Sequence, residues 1–207
     1  ARFDPARFDP GEGLYLLDLR GPGVTDRRPL EVLDLTRPQA RIDIDRAPAY
    51  LLAGPDDHTA VASELATLGT VALAAEHVGM LDAMLDMTGR YTRQRHQFGR
   101  PLASFQVIKH RLADMLVDLE RARSAVRYAA AVFDQDAASA ALPAAVAGAT
   151  CTDAVIRVAM DTVQLHGGVG FTWEHPAHFY VRRALGDEAA FGSARDHRAR
   201  IAQLLGL

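Results

Sequence analysis

Cys151 is the only cysteine in this 207-residue chain, so no intrachain disulfide can form, and the usage suits a reducing cytoplasm. Lysine is equally scarce: Lys109 stands alone, and the rest of the 23 cationic residues are arginine. Set against 26 acidic residues they leave a net charge of −3, which excludes the global basic field of a nucleic-acid binder or of a protein drawn to an anionic membrane. Long apolar runs are missing too. The most apolar stretch, Ala137 to Thr150, is mostly alanine and is interrupted by Ser139 and Pro143, so it reads as too short to span a bilayer, and no secretory signal is read. No nucleophile elbow, P-loop, dinucleotide fingerprint or zinc signature occurs. What the composition does supply is an apolar fraction of 49%, ample for a core. Cys151 reads as a small core residue rather than a nucleophile.

The first ten residues are ARFDP written twice, too few copies for a solenoid. Residues 13–53 then read as three or four short antiparallel strands. Leu14 to Leu19, Leu30 to Leu35 and Ala40 to Ile44 are separated by turn formers at Gly21-Pro22-Gly23, Arg37-Pro38 and Ala47-Pro48. Such a set needs a partner layer to be stable. From Asp56 onward the pattern turns helical. A first helix is expected from about His58 to Arg95, with a seam through Leu65, Leu68, Ala72, Ala75, Val78, Leu81 and Leu85. The turn Gly99-Arg100-Pro101 leads into a second helix, about Leu102 to Asp134. Its apolar residues Phe105, Ile108, Leu112, Met115, Leu119, Ala122, Val126 and Ala129 fall at alternating steps of three and four. A third helix runs from about Pro143 to His166 and stops at Gly167-Gly168; shorter ones follow near Pro176 to Leu185 and Arg195 to Leu205. The expected fold is therefore mainly α, an up-down helical bundle over 56–207 preceded by a short antiparallel β segment over 1–55.

Two stretches carry possible chemistry. In RQRHQFGRPLASFQVIKHRLADM (Arg93 to Met115), Arg93, Arg95 and Arg100 surround Gln97-Phe98-Gly99. This is either a solvated basic turn or a phosphate clamp, since a planar guanidinium fork suits pyrophosphate. In QLHGGVG (Gln164 to Gly170), three glycines in four residues exceed what one helix cap needs; the alternative to a plain cap and loop is bare backbone against which a cofactor lies. His166 has no metal-ligand spacing around it and reads as a capping or polar core residue. Glu120 with Arg123, and Asp118 with Arg121, read as solvated helix-surface pairs.

RQRHQFGRPLASFQVIKHRLADM, then QLHGGVGFTWEHP, then an arginine pair closely resembles the C-terminal half of the acyl-CoA dehydrogenase family. GVTDRRPLEVLDLTRPQARIDIDRAPAYLL resembles the end of that family's middle β domain. The resemblance implies a C-terminal bundle with a remnant of the β domain before it, hence a fragment, a processed product or a short subunit. It implies FAD as cofactor and α,β-dehydrogenation of an acyl-CoA thioester as reaction. It also implies a homo- or hetero-oligomer, a dimer of dimers, with an electron-transfer flavoprotein as a candidate acceptor. Residue by residue, Arg95, Gln97 and Phe98 match positions that reach FAD held mainly by a neighbouring subunit, with Arg95 at the pyrophosphate. Gln164, Gly167 and Gly168 match the loop along the adenosine side, and Gln106 a further position near the subunit interface.

One departure from the family pattern bears on catalysis. The family's usual catalytic glutamate position is occupied by Phe191, followed by Gly192-Ser193 where the family commonly has Gly-Thr. The alternative position for the base, on the first long helix, is Gly69. Glu188 lies three residues before Phe191, and a shifted loop would be needed to bring it in. The family's Arg-Asp-Ala reads Arg182-Arg183-Ala184. The expectation is thus a subunit without its own base that contributes to shared FAD sites, similar to heteromeric enzymes of steroid-degrading actinobacteria. The rival expectations are a non-catalytic assembly module, and an active enzyme with another base or a related flavin oxidase or monooxygenase.

Overall fold

The structure is a computed structural model that describes residues 13–188 and 190–207; the ARFDP repeat lies outside them. The chain divides into two compact units, Ala1–Ala66 and Thr67–Leu207, and the division falls inside the first long helix.

The first unit holds two antiparallel ladders. β1 (Leu14–Leu17) pairs with β4 (Ala49–Ala53), and β2 (Val24–Pro29) with β3 (Ala40–Ile44). Of the strand segments read from sequence, Leu30 to Leu35 is not one. Asp34 is buried there and its carboxylate accepts from the Thr36 amide (2.9 Å) and hydroxyl (2.6 Å). That local bond offers the backbone a turn in place of a ladder. The true neighbour of β3 is β2, VTDRRP, a charged segment in which Arg28 pairs with Asp26 and Asp43. Among the described residues before the first helix only Ala53 and Asp34 are buried; Leu16, Ile44, Tyr50, Leu51 and Leu52 stay exposed.

The second unit is a helical bundle. α1 (His58–Gln94) is followed by a two-residue hairpin, β5 (His96–Gln97) with β6 (Arg100–Pro101), and a 3-10 turn leads into α2 (Gln106–Gln135). α3 (Ala141–His166), α4 (Ala177–Asp187) and α5 (Ala194–Leu205) complete it, and α3 packs against α2, α4 and α5. Leu81, Met84, Met115, Leu119, Cys151, Val155 and Val158 form the dry centre. The α2 seam matches the expected phase, with Met115, Leu119, Ala122, Val126 and Ala129 buried.

The α1 seam matches only in its second half: Leu81 is buried, and Val78 and Leu85 pack against the core as expected. Leu65, Leu68, Ala72 and Ala75 are exposed, while Val71, Ala74, His77, Met84, Thr88 and Thr92 are buried. The buried stripe carries polar groups with internal partners: Thr92 donates to the Thr88 carbonyl (2.9 Å), and Thr88 to the Thr162 hydroxyl (3.5 Å). Asp118 is likewise no surface partner of Arg121. It is buried on α2 and accepts two bonds, 2.7 and 2.8 Å, from the Arg157 guanidinium of α3. By length and mean hydropathy two stretches, His58–Gln94 and Ala137–Phe171, reach what a membrane span needs, where the sequence reading found none. Within the bundle 44% and 56% of their apolar windows are buried.

Candidate cofactor-binding site

The end of α1 is set by chemistry at Tyr91 and Arg95. The Arg95 amide donates to the Tyr91 carbonyl (2.8 Å), closing the helix, and the Leu102 amide returns to the Arg95 carbonyl (2.8 Å). Between them Phe98 and Gly99 turn with φ of 55° and 77°. Two positive φ values in a row make the tight hairpin turn whose twist matches its strands. A phenylalanine there is held at a cost of about 1 kcal/mol. Its ring is 89% exposed, edge-on to Phe105 at 6.2 Å, and the Arg100 guanidinium lies 4.0 Å over the Phe105 ring. The hairpin therefore presents Arg95, Gln97 and Phe98 to solvent on a fixed turn. Among the described residues the side chains of Arg95 and Gln97 have no hydrogen-bonding or ionic partner. Gln106 opens α2 directly after it and is exposed.

The other arm is the end of α3. Gly167 has φ +64°, where a β-carbon would be strained, and its amide caps Gln164 and Val163. A β-carbon placed on Gly167 or Gly168 meets no heavy atom within 4 Å, so the space over the loop is open. Gln164 is exposed on the last turn, whereas Gly170 is buried, where a β-carbon would press on the Val163 carbonyl at 3.0 Å.

The two arms meet through Tyr91, which no sequence signal singles out, and His166. The Tyr91 ring stacks on the His166 ring (centroids 4.4 Å, 30° apart), and its hydroxyl donates to the His166 carbonyl at 3.2 Å. His166 is buried, as expected of a polar core residue, and its Nδ1 lies 2.7 Å from the Thr162 carbonyl. A carbonyl can only accept, so Nδ1 carries the proton. Burial holds this imidazole below its ordinary value. An open face offering an unpartnered guanidinium, an amide, an exposed ring and bare peptide fits the phosphate and sugar end of a dinucleotide such as FAD.

Phe191 and Gly69, distant in sequence, lie against each other. A β-carbon on Gly69 would fall 2.3 Å from Phe191 Cε1 and 2.6 Å from Cζ. Only a glycine on α1 admits the ring. Both sequence positions read as candidate seats for a base thus fall at one spot, and neither brings a carboxylate. Glu188 follows the end of α4, partly buried. The nearest buried acid, Asp187, is committed elsewhere. It lies 3.4 Å from His77 Nε2 and 3.5 Å from the Arg183 guanidinium, which also binds Glu76 at 2.5 Å. The positive charge of Arg183 is thereby matched by two acids. The link that carries Phe191 is anchored beyond it by a capping box. Ser193 Oγ accepts from the Asp196 amide, and the Asp196 carboxylate accepts from the Ser193 amide. The Ser193 hydroxyl also donates to the Asp196 carboxylate at 2.7 Å, and this bond, followed by that from the Ser193 amide, holds the Asp196 carboxyl below its usual range.

Residues 59–206 match the family model for the acyl-CoA dehydrogenase C-terminal domain. Acyl-CoA dehydrogenase IpdE2 of Mycolicibacterium smegmatis (strain ATCC 700084 / mc(2)155) is 34% identical over 165 residues, 80% of this chain and 51% of that protein. Acyl-CoA dehydrogenase FadE27 of Mycobacterium tuberculosis is 35% identical over 215 residues, 97% of this chain and 55% of that protein. Among solved structures, the ChsE4-ChsE5 complex from Mycobacterium tuberculosis superposes with a TM-score of 0.84 at 32% identity, over 94% of this chain and 52% of the matched one. Butyryl-CoA dehydrogenase from Megasphaera elsdenii gives 0.87 at 25% identity, over 100% and 55%. The chain spans about half the length of these relatives.

Proposed function

The chain belongs to the acyl-CoA dehydrogenase family through its C-terminal domain, and from that premise we propose that it is a subunit of a flavin-dependent acyl-CoA dehydrogenase that lacks its own base and completes FAD sites shared with a second dehydrogenase-like chain. The observation that carries this is the exposed pair Arg95 and Gln97, without partners among the described residues, on a hairpin joined through the Tyr91–His166 contact to the arm that ends in the bare Gly167-Gly168 backbone. Assembly alone does not require an unpaired guanidinium on a strained turn, which argues against a purely structural module.

Arg95 binds the pyrophosphate, Gln97 adds amide hydrogen bonds, Phe98 gives a flat apolar face and Gln106 lies at the rim. Gln164, Gly167 and Gly168 admit the adenosine side close to the backbone. FAD, when bound, supplies the hydride acceptor. The α proton of the thioester needs a carboxylate within hydrogen-bond reach, and Phe191 cannot accept it. The partner chain supplies the base in this reading. The neighbour described as a ChsE4-ChsE5 complex supports a heteromer; the proposal extends this to a dimer of dimers acting on fatty-acid or steroid side-chain thioesters. An electron-transfer flavoprotein is the proposed acceptor. The lone thiol, free and buried, is in keeping with a cytoplasmic place.

The test is a visible spectrum of the chain alone and co-purified with a dehydrogenase-like partner, before and after an acyl-CoA. Flavin bleaching only in the mixture is expected. No flavin absorbance in either sample would leave an assembly module, and flavin that acyl-CoA does not bleach would point to different chemistry.

A further inference from the structure

The His166 ring meets a second ring besides that of Tyr91: His175, centroid 4.4 Å away and tilted 46°. His175 Nδ1 accepts from the Ala177 amide at 3.2 Å, so the proton of the neutral ring is on Nε2. The His178 ring stands farther along, 4.7 Å from Trp173 and 4.1 Å from Phe179, with the Arg182 guanidinium 4.9 Å over Trp173. His166 Nε2 is buried with no hydrogen-bond partner among the described residues. A proton there would have no acceptor and would sit against a second imidazole.

From these contacts we infer that Tyr91, His166 and His175 are positioning residues, a stacked neutral brace that sets the span between the arginine hairpin and the glycine loop and so the fit of a nucleotide pyrophosphate laid across both. The inference rests on the proposed cofactor clamp. Its path is continuous: Arg95 is tied to the Tyr91 carbonyl, the Tyr91 hydroxyl to the His166 carbonyl, and His166 precedes Gly167. Tyr91 comes from α1, His166 and Thr162 from α3, and His175 and His178 from the link into α4 and its first turn. Tyr91, His166 and His175 are the titratable groups in ring contact among the described residues, His178 acts on His175 through charge, and Arg182 and Glu174 are the nearest charged residues in sequence on the His175 side. Burial holds both His166 and His175 below the ordinary histidine value, and acidification forces like charges into contact along the stack. The grip therefore weakens with falling pH for a reason that does not involve the arginine.

The experiment measures FAD retention in the assembled holoprotein at pH 8 and pH 5.5, alongside the melting temperature, for wild type, Tyr91→Phe, His175→Phe and Arg95→Ala. Tyr91→Phe keeps the ring and loses one hydrogen bond, so FAD affinity at pH 8 should fall roughly five-fold with little change in melting. His175→Phe keeps a ring against His166 and removes one of the two titrating imidazoles together with its bond from the Ala177 amide, so between pH 8 and pH 5.5 it should lose a smaller fraction of its own pH 8 cofactor content than wild type does. Wild-type retention in Tyr91→Phe together with a wild-type pH profile in His175→Phe, while Arg95→Ala sheds flavin, overturns the brace and leaves the clamp standing. Unchanged retention in Arg95→Ala would overturn the clamp itself. Were Tyr91→Phe to melt early, the His175→Phe pH profile decides.

Discussion

Replacing Gly69 with alanine tests the contact on which the missing-base reading depends, and it needs no cofactor. The new β-carbon would lie 2.3 Å from Phe191 Cε1, against an ordinary carbon–carbon contact of about 3.5–4 Å. The ring must move by more than ~1 Å. Phe191 is 48% exposed and sits on a surface link, so it can swing out. About half of a phenylalanine's burial, on the order of 100 Å², is then lost. At about 25 cal/mol per Å², and allowing for a partly collapsed unfolded chain, this costs about 2 kcal/mol. Alanine in place of glycine inside a helix returns about 1 kcal/mol. Gly69→Ala should therefore destabilise the wild type by about 1 kcal/mol, roughly 2–4 °C in melting for a chain of this size. In a Phe191→Ala background the ring is already gone, and the same change should stabilise by about 1 kcal/mol. The double-mutant cycle should thus show a coupling of about 2 kcal/mol. Gly79 is the control: a β-carbon there meets no heavy atom within 4 Å, and Gly79→Ala should stabilise in both backgrounds. Denaturant unfolding of the four variants and the control gives these numbers. A Gly69→Ala that stabilises wild type as Gly79→Ala does, with no coupling to Phe191, would refute the packing argument.

Arg157→Ala should cost about 1–2 kcal/mol in denaturant unfolding, because it strands the buried Asp118 carboxylate. The value is kept below that of a fully buried pair because the Arg157 side chain is 55% exposed; an unchanged midpoint would contradict it. Stability should also depend on pH. Burial lowers His166, His175 and His197 from 6.5, so below that value the unfolded chain takes up protons first. The melting temperature should be level above about pH 7 and fall as pH drops from 6.5 toward the lowered values, and a flat or rising profile would count against it. The Cys151 thiol is fully buried and pushed up to about 12. Alkylation at pH 8 should be about a thousandfold slower in the native protein than in guanidinium, and comparable rates would be inconsistent with the burial.

The ends of α1 and α3 were legible in the sequence because stop signals are local: Gly167 ends α3 and Gly99 turns the hairpin. The Ser193–Asp196 capping box that starts α5 was not singled out. The phase of α1 is legible at Val78, Leu81 and Leu85 but not on either side of them. Hydrophobic counting selects Leu65, Leu68, Ala72 and Ala75, whereas the buried stripe continues through His77, Thr88 and Thr92, polar residues that count against a seam until their partners are known. β2 was missed because VTDRRP carries Asp26, Arg27 and Arg28, with Arg28 held by ion pairs, rather than an apolar face. Leu30 to Leu35 was mistaken for a strand because Asp34 acts through a turn bond that alternation does not reveal. At the site, Arg95, Gln97 and the Gly167-Gly168 loop stand out as short motifs. The contact joining them pairs residues 75 apart, Tyr91 and His166, and no spacing rule finds it. The same holds for Gly69 and Phe191, whose positions came from a family pattern but whose mutual fit is a matter of packing.

The central claim is that this chain grips the nucleotide end of FAD with Arg95. It is tested most directly by the flavin-to-protein ratio of the assembled protein after gel filtration, read from visible absorbance, for wild type, Arg95→Ala and Arg127→Ala. Arg157 cannot serve as the control because it holds Asp118; Arg127 is exposed on α2 and can. Loss of a charge-assisted phosphate contact should lower flavin retention by roughly ten-fold or more in Arg95→Ala and leave Arg127→Ala at the wild-type ratio. Equal flavin content in all three would contradict the account.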